Sequence, residues 1–186
     1  MNNNMLFEKA VIFAAKAHDG QSRKGDGAPY IIHPFMVATI LREQQCSEQT
    51  IIAGLLHDTV EDSDITIEDI KQTFGSEIAS IVAACTEVDK SMPWEERKQR
   101  ALDSIRHAST EAKYVVCADK LHNLRAMSAA YEAMGDTLWS RFNRGYEQQK
   151  WYTREMLTSL FFGLDQDAIK PMFLEYEKLA KEFYSL

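Results

Sequence analysis

The chain has 186 residues, of which 45% are hydrophobic and 26% charged, and its formal net charge at pH 7 is −7. These values fit one soluble globular domain spanning residues 1–186. The acidic balance argues against binding to duplex nucleic acid or to a membrane surface, because both need a basic footprint. No stretch approaches the roughly 18 apolar residues of a membrane span, so none is expected.

The cysteines and the N-terminus indicate the compartment. Cys46, Cys85 and Cys117 are odd in number, widely spaced and outside any CxxC arrangement, which is typical of a reduced cytosolic protein rather than a disulfide scaffold. The first residues contain neither a basic segment nor a long apolar run, so no signal peptide is indicated. We therefore expect a cytoplasmic protein.

Apolar residues recur three and four positions apart along most of the chain, which predicts a succession of helices. The predicted helices cover residues 5–18, 34–43, 47–59, 66–74, 76–88, 94–108, 112–127, 138–162 and 166–184. No alternating pattern of β-branched residues indicates a strand. The predicted fold class is all-α.

Between the first two predicted helices, residues 19–30 form a polar segment with three glycines, a proline and the adjacent pair Arg23 and Lys24. Taken alone, it is adequately interpreted as a surface loop. His33 follows two isoleucines and precedes Pro34, which suits the first turn of a helix. A lone histidine in such a place is more often half-buried than a ligand.

The third predicted helix is apolar as far as Leu56 and then ends in four ionisable residues. They are His57, Asp58, Glu61 and Asp62. In a continuous helix Glu61 would lie one turn beyond His57, and Asp62 one turn beyond Asp58. Acids at a helix C-terminus oppose its dipole, so a solvated last turn explains them poorly. A metal or catalytic site is favoured here.

A second acid stands among apolar neighbours in the predicted helix 112–127. Asp119 lies one turn after Val115 and one turn before Asn123, and a buried carboxylate must be paired, hydrogen-bonded or bound to a metal. With His33, His57 and Asp58 it makes a set of two imidazoles and two carboxylates. Such a set suits Mn²⁺, Fe²⁺ or Zn²⁺ with water at the remaining positions.

Three segments then point to one family. Residues 23–34 read RKGDGAPYIIHP, residues 56–62 read LHDTVED and residues 118–125 read ADKLHNLR. In this order they resemble the HD-domain metal-dependent phosphohydrolases and, more narrowly, the hydrolase domain of RelA/SpoT-type alarmone enzymes. Without a synthetase domain, the chain is similar to the stand-alone small alarmone hydrolases. The resemblance covers roughly residues 5–130 and implies a single helical HD-domain bundle, to which the C-terminal helices at 138–184 would be added.

The resemblance also implies a metal centre. Four residues would ligate one divalent metal ion, commonly Mn²⁺ in that family: His33, His57, Asp58 and Asp119. Glu61 and Asp62 match the acidic pair that positions or deprotonates the attacking water. These roles agree with general chemistry, since a divalent ion lowers the pKa of bound water and a nearby carboxylate can accept its proton.

The same resemblance implies the substrate, a small nucleotide. Arg23 and Lys24 match the basic pair that contacts the guanine base and the phosphate region, and Asn123 matches a nucleotide-contacting position. The implied activity is that of a guanosine-3′,5′-bis(diphosphate) 3′-diphosphatase. It would remove the 3′-diphosphate of guanosine tetra- or pentaphosphate, (p)ppGpp, and leave GDP or GTP and pyrophosphate.

Two departures from the family pattern leave other functions open. Ala126 stands where the family often has a threonine near the nucleotide, and residues 88–94 match the family only loosely. The same chemistry on another nucleotide is one alternative, with the 2′-phosphate of NADPH or a pyrophosphorylated RNA end as candidates. A non-catalytic nucleotide sensor is another, although it should have lost ligands that this chain retains. The oligomeric state is also open, a homo-oligomer included.

Overall fold

The computed structural model describes residues 3–23, 27–87, 91–142 and 144–186. This part of the chain forms ten α-helices: α1 (Asn3–Ala17), α2 (Ile32–Glu43), α3 (Glu48–Leu56), α4 (Thr59–Asp62), α5 (Ile67–Phe74), α6 (Ser76–Cys85), α7 (Trp94–Arg106), α8 (Thr110–Met134), α9 (Tyr146–Phe161) and α10 (Pro171–Tyr184). Two short 3₁₀ helices, Gly135–Arg141 and Gln166–Ala168, connect the last three. The only β pairing among the described residues is an isolated bridge between Ser22 and Pro29. The all-α prediction is therefore confirmed.

Helix α3 lies at the centre of the bundle. Every residue from Thr50 to Leu56 is buried, and the helix packs against α1, α2, α6 and α8. A helix that is apolar on all sides is expected to be enclosed in this way. None of the helices in the described ranges combines the length and the apolar character that crossing a lipid bilayer requires.

The predicted helix over residues 47–59 is wrong at its C-terminal end, because α3 stops at Leu56. The His57 ring donates a hydrogen bond from Nδ1 to the carbonyl of Gly54 (2.8 Å), and Thr59 Oγ1 donates to the carbonyl of Leu56 (2.7 Å). These side chains satisfy carbonyls at the end of the helix. The chain then restarts as α4, so its acids stand in the first turn of a new helix, where the dipole does not oppose them.

The C-terminal part also differs from the prediction. Helix α8 continues past residue 127 through an alanine-rich stretch of strong helix formers and ends at Gly135, whose φ of +57° favours glycine. The predicted helix over 138–162 is divided into a 3₁₀ helix and α9, which begins after Gly145. Helices α9 and α10 pack on each other, and α10 packs on α8, so the C-terminal helices complete the bundle.

Gly54 allows α2 and α3 to approach closely. A Cβ atom at this position would lie 2.3 Å from Leu41 Cδ1, and Leu41 is fully buried. We expect Gly54→Ala to lower the free energy of unfolding by about 1–2 kcal/mol, because overpacking outweighs the better helix propensity of alanine. Urea denaturation of metal-free protein measures this change.

Gly145→Ala is the matched control. Gly145 has an ordinary φ of −75°, and no atom lies closer than 4.0 Å to the position of an added Cβ. We expect the free energy of unfolding of the Gly145→Ala protein to remain within about 0.5 kcal/mol of that of the unmodified protein. A Gly54→Ala protein as stable as the original would contradict the packing argument.

Candidate metal centre and substrate cleft

The four residues predicted as metal ligands come from different parts of the chain and meet inside the bundle. His33 is the second residue of α2, His57 and Asp58 connect α3 to α4, and Asp119 lies in the middle of α8. One potential ligand atom from each of His33, His57 and Asp58 lies within 4.8 Å of the others. Asp119 Oδ1 is 3.2 Å from His33 Nε2 and 4.0 Å from His57 Nε2.

The hydrogen bonds of both histidines leave Nε2 facing the carboxylates. The carbonyl of Gly54 can only accept, so His57 carries its proton on Nδ1. His57 Nε2 is buried and lies 3.2 Å from Asp58 Oδ2. His33 Nδ1 lies 2.8 Å from His122 Nδ1, so one of these rings donates to the other. A ligating imidazole is typically held in this way by its second nitrogen, and the donor set suits a divalent cation.

The pKa values of His57 and Asp58 depend strongly on the charges of their neighbours. Burial alone would lower the pKa of His57, but the carboxylates of Asp58 and Asp119 outweigh it and raise the pKa to about 9. Burial would likewise raise the pKa of Asp58, but the neighbouring His57 holds it below its usual range. In the metal-free protein a proton on His57 therefore balances the carboxylates, and a metal ion would have to displace that proton.

Other side chains hold the two carboxylates in place. Tyr30 donates its hydroxyl proton to Asp58 Oδ2 (2.7 Å). Lys120 Nζ donates to Asp119 Oδ2 (2.7 Å), and Asn123 Nδ2 donates to Asp119 Oδ1. Asp119 raises the pKa of Lys120 well above its ordinary value, although burial opposes this. These contacts give the buried carboxylates the partners that they need.

A cleft of about 1070 Å³ begins beside this cluster. The polar residues at its beginning include Arg23, His33, Asp62, Lys120 and Asn123. The other lining residues are Arg141, alanines of α8 and mostly apolar or aromatic side chains that include Ala126, Ala129, Ala130, Ala133, Leu138, Phe142, Tyr152, Tyr176 and Tyr184. The cleft thus has a charged end beside the cluster and extensive apolar walls, which suits a ligand that has both characters.

The structure brings most of the predicted catalytic and substrate residues to this cleft. Arg23 Nη2 donates to Asn123 Oδ1 (3.4 Å), so these two residues are neighbours although 100 positions separate them. Asp62 lines the cleft, whereas Glu61 is half-buried on the same short helix, near enough to Lys98 to act on its pKa. Lys24 lies outside the described residues. The roles of all these residues remain predictions.

Several contacts were missed by sequence reasoning. Tyr30 belongs to the motif PYIIHP, but its contact with Asp58 spans 28 positions and has no local signature. His122 lies in the segment ADKLHNLR and is not among the predicted site residues, yet it contacts His33, and burial together with the charge of His33 lowers its pKa to about 4. Lys120 directly follows Asp119, and adjacent residues of a helix do not share a face, so the helical spacing did not predict their contact. The motifs indicated the residues of the centre and not their supporting partners.

Comparisons with known proteins agree with this geometry. The family model described as HD domain matches residues 10–142. The chain is similar to the guanosine-3′,5′-bis(diphosphate) 3′-pyrophosphohydrolase MESH1 of Danio rerio, with 45% identity over 123 residues that cover 64% of this chain and 68% of the relative.

Two solved structures are also similar. A protein from Listeria monocytogenes EGD-e is 42% identical, with a TM-score of 0.78 and coverage of 83% of this chain and 99% of its own. A metazoan ortholog of SpoT that hydrolyses ppGpp is 28% identical, with a TM-score of 0.79 and coverage of 97% of each chain. The chain therefore belongs to the HD domain family.

Proposed function

We propose that this chain is a metal-dependent pyrophosphohydrolase that removes the 3′-diphosphate of guanosine tetra- or pentaphosphate and releases GDP or GTP and pyrophosphate. The observation that carries the proposal is the meeting of two histidines and two aspartates at the charged end of a large cleft. MESH1 relatives that are 42–45% identical are named for this reaction.

A divalent metal ion would be held by His33, His57, Asp58 and Asp119, and we propose Mn²⁺. Two imidazoles with two carboxylates form a mixed nitrogen and oxygen set, which accepts Mn²⁺ more readily than a thiolate site would. When bound, such an ion polarises a phosphoryl oxygen and lowers the pKa of water. His57 Nε2 lies 3.2 Å from Asp58 Oδ2, and His33 Nε2 lies 3.2 Å from Asp119 Oδ1, so nitrogen and oxygen donors meet closely enough to support a cation at this position.

The acidic pair would handle the proton of the attacking water. In the proposed reaction, water attacks the phosphorus attached to the ribose 3′-oxygen. The bond between this phosphorus and the 3′-oxygen then breaks. Asp62 and His33 both line the cleft, which supports a role for the Asp62 carboxylate in orienting the water or accepting its proton. Glu61 would assist from the same helix. The 3′-oxygen takes up a proton as the nucleotide leaves.

An acidic protein can bind so anionic a substrate only through a local positive region. Arg23, Lys120 and Arg141 are cations that line the cleft, and Lys24 would add another. Asp119 partly compensates Lys120, and we assign the main substrate contact to Arg23. Its planar guanidinium can stack on a base or bind two phosphate oxygens, and Asn123 orients it.

One observation favours an alternative substrate for the same chemistry. Ala126 lines the cleft where the family often presents a threonine, so one hydroxyl contact to the nucleotide is absent. A substrate that needs no such contact, for example NADPH with its 2′-phosphate or a pyrophosphorylated RNA end, is the alternative. Residues 88–90, in the segment that departs from the family pattern, lie outside the described ranges.

We also propose a cytoplasmic location. Cys46, Cys85 and Cys117 are free, and the substrate would be a small nucleotide. Free cysteines suit a reducing compartment.

The first test is product analysis with purified, chelator-stripped protein and guanosine tetraphosphate, with and without added Mn²⁺. We expect GDP and pyrophosphate only when the metal is present, because the donor set needs the cation to activate water. Absence of turnover in a protein that binds the metal would reject this substrate and favour the alternative nucleotides.

Asp58→Ala should abolish hydrolysis and bound metal together, since it removes one predicted ligand and leaves His57 without its nearest counter-charge. Elemental analysis and the product assay measure the two effects on one sample. Asp167→Ala, at an exposed position in the second 3₁₀ helix, is the matched control and should change neither. Retained metal and activity in the Asp58 variant would remove it from the centre.

Glu61→Gln and Asp62→Asn should slow turnover by roughly 10²–10⁴-fold while the metal stays bound, because each removes a proton acceptor and keeps its shape. Single-turnover kinetics and metal analysis test this. Loss of metal from either variant would mean that the residue is a ligand rather than a base.

A further inference from the structure

The segment that precedes α2 is a small hairpin anchored at the metal centre. The backbone N–H of Tyr30 donates to the carbonyl of Gln21 (3.0 Å), and that of Arg23 donates to Ala28 (2.9 Å). The isolated bridge between Ser22 and Pro29 lies between these two bonds. Gln21 and Tyr30 are thereby held side by side at the base of the hairpin, with Arg23 farther along it.

Both residues at the base reach into the segment that carries the acids. The Tyr30 hydroxyl donates to Asp58 Oδ2 (2.7 Å). The Gln21 amide donates from Nε2 to the backbone carbonyl of Asp62 (2.7 Å). One bond therefore orients a proposed metal ligand, and the other holds the end of the short helix that presents the proposed proton acceptor.

His18 orients Gln21 and Tyr30 in turn. Its Nδ1 lies 2.9 Å from Gln21 Oε1, and because Gln21 donates through Nε2, the oxygen must accept, so His18 carries its proton on Nδ1. The His18 ring also packs on the Tyr30 ring, with centroids 4.8 Å apart. One imidazole thus determines which way the amide points and where the phenol lies.

The burial of His18 indicates that its contacts with Gln21 and Tyr30 have a role. The side chain is 3% exposed, and its Nε2 is buried without a hydrogen-bond partner in the part of the chain that the structure describes. A buried nitrogen without a partner costs free energy. A purely apolar side chain would avoid that cost, so the histidine is best explained by what its Nδ1 and its ring face do.

We propose that His18, Gln21 and Tyr30 form a positioning unit that fixes Asp58 and α4 for metal binding and proton transfer. Gln21 and Tyr30 also line the cleft, but the unit would act through Asp58 and α4, which its hydrogen bonds hold in place. The inference rests on the proposed metal-dependent function and deepens it. The hairpin would then support both carboxylates. Tyr30 contacts Asp58 directly, and Arg23 contacts Asn123, which in turn donates to Asp119.

Tyr30→Phe is the decisive variant because it removes only the hydroxyl that orients Asp58. Loss of a side chain that supports a metal ligand typically weakens metal affinity about 10- to 100-fold, and we expect this range for Mn²⁺ measured by calorimetric titration. At saturating Mn²⁺ the value of kcat should recover to within a few-fold of the unmodified protein, with KM for the nucleotide little changed.

Tyr146→Phe is the matched control. Its hydroxyl donates to the carbonyl of Tyr184 (3.1 Å), between the C-terminal helices. It should leave the Mn²⁺ affinity unchanged even if the melting temperature of the metal-free protein falls. Equal affinity losses in both tyrosine variants would indicate a general structural effect and overturn the proposal.

His18→Leu and His18→Asn test whether His18 orients Gln21 and Tyr30. Asparagine can place an amide N–H near the position of Nδ1, so it should restore much of the Mn²⁺ affinity that the leucine variant loses. Affinities within twofold of the unmodified protein for both Tyr30→Phe and His18→Leu would overturn the proposal. If His18→Leu does not fold, Tyr30→Phe alone decides.

The metal titration distinguishes this inference from the function on which it rests. It needs no nucleotide, so a weakened affinity in Tyr30→Phe would support the positioning unit even if guanosine tetraphosphate were not hydrolysed. An unmodified protein that binds none of Mn²⁺, Fe²⁺ and Zn²⁺ would overturn the metal centre, and the positioning unit with it.

Discussion

The structure depends on keeping two carboxylates, Asp58 and Asp119, inside the core of a helical bundle. Each unpaired charge in such a place would cost several kcal/mol. The protein offsets this cost with short contacts from the Tyr30 hydroxyl, the Lys120 ammonium and two buried imidazoles. These contacts balance the charges of the metal-free protein, and they leave nitrogen and oxygen atoms directed at a common point. A divalent cation would complete the set.

The placement of this cluster follows from how α3 ends. The helix is buried from Thr50 to Leu56, so its C-terminus brings the chain to the middle of the bundle. The side chains of His57 and Thr59 then donate hydrogen bonds to backbone carbonyls at the helix end. Because the chain turns there and restarts as α4, His57 and Asp58 face the centre, and the following acids lie next to the cleft. A continuous helix would instead have placed Glu61 one turn beyond His57 and Asp62 one turn beyond Asp58 along one side of its axis.

The wall of the cleft comes from two parts of the chain. The charged residues beside the cluster lie within the HD domain match, which covers residues 10–142. Tyr152, Tyr176 and Tyr184 belong to α9 and α10, beyond that match. The Tyr152 ring also lies near Lys120, with 5.8 Å between Nζ and the ring centroid, and Lys120 pairs with Asp119. The C-terminal helices therefore shape the apolar wall of the cleft and also contact the surroundings of the cluster.

The sequence by itself determined the all-α class, because apolar residues recur with helical spacing throughout. It also indicated the histidines and aspartates that meet in the cluster, because the motifs that contain them are short contiguous segments. Only the tertiary structure decided where α3 ends, how far α8 extends and which side chains support the carboxylates. His18, Tyr30 and His122 had no local signature, because their contacts depend on packing between helices and loops. The Tyr30 contact with Asp58 spans 28 positions and the His33 contact with His122 spans 89, so they exist only once the bundle has folded.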